Sequence, residues 1–147
     1  MGSGISEQYT LSNLIDNRET RLNESSNNEY TGKSNAGKDY SLYENSKELI
    51  KKYGLDEFGR FGEEGKNCRI IKSKNPLQEA DGFFEAISRG ARIEPLGDNP
   101  YGKVATLLDN SEVSFRTITK TPNSPAVEII ISNSEKIAAQ KIHFIMR

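Results

Sequence analysis

Short runs in which apolar and polar residues alternate fill the second half of the chain, and this period of two predicts β-strands. Four such runs follow one another, at residues 103–109, 112–119, 126–132 and 139–146. Turn-forming residues separate them, first at Asp109-Asn110-Ser111 and then in the TPNSP segment at 121–125. Because the links are short, neighbouring runs are expected to pair antiparallel.

The segment before these strands carries the sequence signals of a helix. Asn75 is a cap residue, Pro76 occupies the first helical position and Gly90 marks the end, so we predict a helix over residues 75–90. A branched run at 68–72 predicts one further strand. Helices before a run of antiparallel strands are typical of an α+β fold, here N-terminal helices packed on a four- to five-stranded antiparallel sheet formed by the C-terminal half.

The first 65 residues have a different character. Residues 11–22 show near-helical spacing of apolar side chains, whereas residues 23–40 are rich in Asn, Ser and Gly and are typical of a linker or long loop. A cap at Asn45 or Ser46 predicts a helix that runs to about Tyr53. We therefore divide the chain into a helical and linker segment, residues 1–65, and a domain, residues 66–147.

Composition and charge narrow the class of protein. Hydrophobic residues make up 34% of the chain and charged residues 28%, and no apolar run approaches the ~20 residues of a membrane span. The start of the chain lacks the pattern of a secretory signal, so export would depend on a larger parent chain. The net charge of −1 is unevenly distributed: residues 1–65 carry 8 Lys/Arg against 12 Asp/Glu, and residues 66–147 carry 12 against 9. The basic balance of the second segment favours a polyanionic partner.

Strand alternation gathers charged residues on one face of the predicted sheet. They are Arg116, Lys120, Glu128, Lys141 and His143, the only histidine of the chain. Metal-free RNA cleavage requires these residue types, because a base must take the proton of the 2′-hydroxyl, cations must stabilise the phosphorane and an acid must protonate the leaving oxygen.

Each of these residues also has an ordinary structural interpretation. A single histidine on a strand is more often structural, basic residues on a strand often mark only a solvated face, and Glu128 could be the cross-strand ion-pair partner of Arg116. A non-catalytic module that binds RNA or a protein through the same face is the main alternative. An immunity protein is a third, although such proteins tend to be acidic. With one histidine and one cysteine, we expect neither a metal site nor an internal disulfide.

Residues 116–128 and 140–144 resemble a family of C-terminal ribonuclease domains of bacterial polymorphic toxins, of the contact-dependent inhibition and LXG types. The shared pattern is a basic residue, a Ser/Thr-rich turn, a proline, an acidic residue and a downstream glutamine before a closing strand. Its positions here are Arg116 or Lys120, then Thr119, Thr121 and Ser124, then Pro125, Glu128 and Gln140. Glu128 stands where the family more often has Asp.

The resemblance, which covers residues 66–147, implies the fold of the barnase, EndoU, colicin and RelE group and a metal-independent endoribonuclease that acts on transfer RNA. It implies no cofactor, a cognate immunity protein as partner, delivery as part of a larger secreted or surface toxin, and action in the cytoplasm of the target bacterium. Elongation factor Tu assists some relatives, and no residue of this sequence indicates or excludes it as a partner. The expected catalytic residues are His143, Arg116, Lys120, Glu128 and Thr119. The expected substrate contacts are Thr121, Ser124, Gln140 and Lys141.

Overall fold

The computed structural model describes residues 39–147. The chain divides between Asp39 and Tyr40, and Tyr40–Arg147 forms one compact unit. The predicted helix at 11–22 and nearly all of the predicted linker at 23–40 lie outside the described residues. Residues 40–65, which the sequence pattern assigned to the N-terminal segment, belong to the same compact unit as the sheet.

Two helices and seven strands make up the described part of the chain. In chain order they are α1 (Leu42–Tyr53), β1 (Glu63–Glu64), β2 (Arg69–Ser73), α2 (Pro76–Ile87), β3 (Arg92–Leu96), β4 (Asn99–Thr106), β5 (Glu112–Arg116), β6 (Ala126–Ile131) and β7 (Gln140–Met146). The strands form one sheet in the order β1-β2-β7-β6-β5-β4-β3. Neither helix is long and apolar enough to cross a membrane.

The α+β class is confirmed, but the prediction of four or five antiparallel strands is wrong. The sheet has seven strands and is mixed, since β2 pairs parallel with β7 while the other neighbours are antiparallel. In the parallel pair Ile71 lies opposite Phe144, and both side chains are buried. This pairing joins strands far apart in sequence, and short-range alternation carries no information about it.

The extra strands lie at the edges of the sheet. Strand β3 contains Pro95, which cannot donate to a ladder, and its residues are mostly exposed, as expected of an edge strand. Strand β1 has only two residues. The predicted run at 112–119 is also too long, because β5 ends at Arg116 and the chain then turns into a loop at 117–125.

Both helices begin with a side-chain cap. Asn75 accepts a hydrogen bond from the backbone N–H of Gln78, and Pro76 is the first helical residue of α2, as predicted. Helix α1 begins earlier than expected. Ser41 is its cap, whereas Asn45 and Ser46 are buried within the helix because they lie on the side that packs against α2.

The core lies between α2 and one face of the sheet. Phe83 of α2 makes edge-to-face contacts with Phe61 and Phe144, with ring centroids 5.3 and 5.5 Å apart. Phe84 stacks on Phe115 of β5 at 5.3 Å. Aromatic pairs of this kind add to the stabilisation from burial. Both described helices lie in the layer on this side of the sheet. The opposite face of the sheet, called here the open face, therefore carries no helix of the described part.

A hydrogen-bonded carboxylate ties α1, β2 and α2 together. Glu79 of α2 accepts a hydrogen bond from Ser73 at 2.9 Å and one from the Tyr53 hydroxyl. It also pairs with Lys52 at 3.1 Å. These partners, first of all the Tyr53 hydroxyl, lower the pKa of Glu79 below its ordinary value of 4.5.

We predict that Glu79→Gln lowers the free energy of unfolding by about 1–2 kcal/mol at neutral pH, the worth of charge-assisted hydrogen bonds. Because the folded-state pKa is lowered, this stabilisation is present above pH 4.5 and is lost as the pH falls through the folded-state value. Urea unfolding across this pH range measures it. Glu48→Gln, which removes an exposed pair with Lys51, is the control and should change little. A constant difference down to pH 2 would contradict the role of the Glu79 carboxylate.

Candidate active site on the open sheet face

Arg116 and His143 lie in one row across three strands. Arg116 of β5 is opposite Ala126 of β6, and Ala126 is opposite His143 of β7. Since neighbouring strands are about 4.8 Å apart, the Cα atoms of Arg116 and His143 are separated by roughly 10 Å. Phe115 and Phe144, their neighbours in sequence, are buried on the helix side, so Arg116 and His143 point to the open face.

A second row of residues across the same strands carries the other charged side chains of this face. Glu128 lies between Ser114 of β5 and Lys141 of β7. Lys141 is two residues from His143 on the same strand and therefore shares its face. The alternation correctly predicted that Arg116, Glu128, Lys141 and His143 share one face.

The alternative in which Glu128 pairs with Arg116 is not what the structure shows. Their strands place Glu128 opposite Ser114 instead. Among the ion pairs within residues 39–147, none includes Arg116, Glu128 or Lys141. Three charged side chains thus share the face of the histidine, and none of them forms an ion pair within the described residues.

Lys120 lies elsewhere than alternation placed it, whereas Thr121 lies outside the strands, as predicted for the turn segment at 121–125. Because β5 ends at Arg116, both residues belong to the loop at 117–125, where both are exposed. The prediction that Lys120 extends the strand face is therefore wrong. The loop borders the same end of the sheet as Arg116 and His143, because it joins β5 to the start of β6.

Thr119 holds this loop together. Its hydroxyl donates a hydrogen bond to the carbonyl of Ser124 at 2.7 Å and accepts one from the backbone N–H of Thr121 at 3.2 Å. Asn123 has a positive φ of 56°, a conformation that Asn tolerates better than most residues. Thr119 and Asn123 thus shape the turn that brings Ser124 beside β7.

Ser124 contacts the histidine directly. The Ser124 hydroxyl lies 2.8 Å from Nδ1 of His143. Ser124 is only 3% exposed, whereas His143 is partly exposed. The Ser124 hydroxyl is therefore directed at the imidazole and not at solvent.

Gln140 lies at the start of β7, and its side chain is hydrogen-bonded to neighbouring segments of the chain. Its side-chain oxygen accepts a hydrogen bond from the backbone N–H of Phe61 at 2.7 Å. Its nitrogen donates to the carbonyls of Gly59 and Ala138 at 3.0 and 2.7 Å. Gln140, an expected substrate contact, thus uses its side-chain amide for hydrogen bonds at the end of the strand.

Ala126 is a residue that sequence reasoning passed over. It lies in the row between Arg116 and His143 and is only 1% exposed, so its methyl group is covered although it points to the open face. A small side chain therefore occupies the covered position between Arg116 and His143. The only signal in the sequence is its smallness at the start of an otherwise branched strand.

Electrostatics favour the neutral form of the histidine. Burial, followed by the positive charges of Lys141 and Arg116, lowers the pKa of His143 below 6.5, and a hydrogen bond with the Ser124 backbone opposes the shift. Near neutral pH the imidazole is therefore mostly uncharged. An anion bound between the two cations would reverse part of this effect.

Searches against family models, curated proteins and solved structures find no match for the chain.

We predict that Lys141→Met and Arg116→Gln each raise the pKa of His143 towards 6.5, because each removes a positive charge that disfavours the imidazolium. NMR titration measures this without ambiguity, since the chain has one histidine. Lys74→Met, which removes an exposed lysine beyond the end of β2, is the control and should leave the pKa unchanged. An equal shift in all three variants would show that net charge, and not the open face, sets the pKa.

Proposed function

We propose that the protein is a metal-independent endoribonuclease whose active site is the open face around His143, with transfer RNA as substrate. The observation that carries the proposal is a single histidine that shares the open face of the sheet with two cations and a carboxylate, none of which forms an ion pair within the described residues. This set supplies proton transfer and phosphate binding at one place. The resemblance of residues 116–128 and 140–144 to toxin ribonucleases supports the same assignment.

His143 is the base in the first proton transfer. Its neutral imidazole accepts the proton of a 2′-hydroxyl while the 2′-oxygen attacks the adjacent phosphorus and the bond to the 5′-oxygen breaks. The leaving 5′-oxygen takes its proton from solvent by way of Glu128, the other acid–base group of the face. The products are a 2′,3′-cyclic phosphate and a 5′-hydroxyl.

Cations of the same face hold the phosphate. Arg116 and Lys141 lie on either side of His143 in the sheet, one across the strands and one along β7. Their charges can stabilise the phosphorane as it forms, since arginine and lysine donate hydrogen bonds to phosphate oxygens without needing to lose a proton. Lys120 and Thr121 are placed in the exposed loop to contact the RNA beside the scissile bond.

Cellular context follows from the resemblance alone. We propose that the chain acts as an antibacterial toxin that a larger protein delivers into the cytoplasm of a target bacterium. An immunity protein that neutralises it would cover the open face.

We predict that His143→Ala lowers the rate of RNA cleavage by roughly 10²- to 10⁴-fold, the usual worth of a positioned acid or base. Arg116→Ala should also lower the rate, through loss of phosphorane stabilisation. Arg92→Ala, at an exposed arginine of edge strand β3, is the matched control and should cut at the wild-type rate. A gel assay on total transfer RNA, repeated with excess EDTA, measures all of these, and cleavage should survive the chelator.

Two further outcomes test which residue is the base and whether the protein is an enzyme or a non-catalytic binding module. For the wild type, kcat/KM should rise with pH through an apparent pKa below 6.5, since the base must be unprotonated; a fall through that pKa would exchange the roles of His143 and Glu128. Wild-type protein that binds RNA through Arg116 and Lys141 but does not cut it would support the non-catalytic module instead.

A further inference from the structure

The contact between Ser124 and His143 joins a loop residue to a strand residue 19 positions away. It involves Nδ1, so the other ring nitrogen, Nε2, takes no part in the contact and lies on the far side of the imidazole. Ser124 is almost completely buried, which leaves no surface by which its hydroxyl could reach a substrate. The sequence pattern alone had suggested a substrate contact for this residue.

The loop fixes Ser124 from both sides. Before it, Thr119 donates its hydroxyl proton to the Ser124 carbonyl. After it, the carbonyl of Pro125 accepts a hydrogen bond from the backbone N–H of Phe144 at 2.9 Å. The second bond attaches the loop to β7 at the residue that follows His143. The serine hydroxyl is therefore held against the ring by backbone geometry and not by a flexible side chain.

We propose that Ser124 is a positioning residue that holds Nδ1 of His143 and thereby presents Nε2 as the nitrogen that exchanges a proton with the substrate. The proposal rests on the proposed function for its kinetic consequence, but the orientation of the ring does not depend on catalysis. A hydroxyl suits this role because it can accept from a protonated Nδ1 or donate to an unprotonated one. It can therefore keep the ring in place as His143 gains and loses a proton.

The ring orientation is tested by NMR on protein labelled with ¹⁵N-histidine, with inorganic phosphate as the probe. In the wild type, phosphate binding between Arg116 and Lys141 should shift the Nε2 resonance more than that of Nδ1. In Ser124→Ala the difference between the two nitrogens should become smaller, because the ring loses the hydroxyl that holds Nδ1. Ser114→Ala is the matched control, since Ser114 is also a buried serine but lies within β5 and does not contact His143, and it should behave as the wild type.

Kinetics provide the second test. Ser124→Ala should lower kcat by about tenfold, the rate effect of one hydrogen bond used for orientation, with KM within about twofold of the wild-type value. Ser124→Thr, which keeps the hydroxyl, should recover most of kcat. Thermal unfolding of each variant separates a change of orientation from a loss of fold, and Thr119→Val, which frees the Ser124 carbonyl, provides an independent variant if Ser124→Ala does not fold.

The outcomes are distinguishable from those of the proposed function. If the wild type does not cut RNA but the nitrogens respond as expected, the positioning role stands and the nuclease assignment fails. If Ser124→Ala leaves both kcat and the difference between the nitrogens unchanged, the positioning role is overturned while the nuclease assignment stands. A raised KM with unchanged kcat would instead make Ser124 a substrate contact.

Discussion

The position of β7 between β2 and β6 is the constraint on which the rest of the site depends. The last strand of the chain enters the middle of the sheet, so its two faces have opposite surroundings. Phe144 is buried against Phe83 of α2, and His143 is thereby fixed on the open face. The apolar core and the candidate site are thus two sides of the same strand, and the packing of one side sets the geometry of the other.

Local patterns in the sequence indicated much of this arrangement. Alternation on β5, β6 and β7 put Arg116, Glu128 and His143 on a common face because side chains on a strand have a fixed period of two. The cap at Asn75 and the proline after it located the start of α2 because both residues suit the first helical turn. These signals depend on residues that are close together in the chain.

Long-range relations could not be predicted in the same way. Nothing local indicates that Ile71 pairs with Phe144, nor that a short, exposed strand containing Pro95 closes one edge of the sheet. The resemblance implies a catalytic role for Thr119 and substrate contacts for Ser124 and Gln140. Their hydrogen bonds to the loop, to His143 and to the segment at 59–61 depend on a tertiary arrangement, and they leave the charged residues of the open face as the groups proposed to face the RNA.

The requirement for a 2′-hydroxyl tests the central claim most directly. Once the cleaved bond has been mapped, two RNA substrates can be compared that differ only in a single 2′-deoxy substitution on the nucleotide before that bond. If the open face cleaves RNA through transesterification, the substituted RNA should bind with similar affinity and remain uncut at that position. Cleavage of the substituted RNA at the unmodified rate would contradict the account, because the nucleophile would then have to be water or a protein side chain.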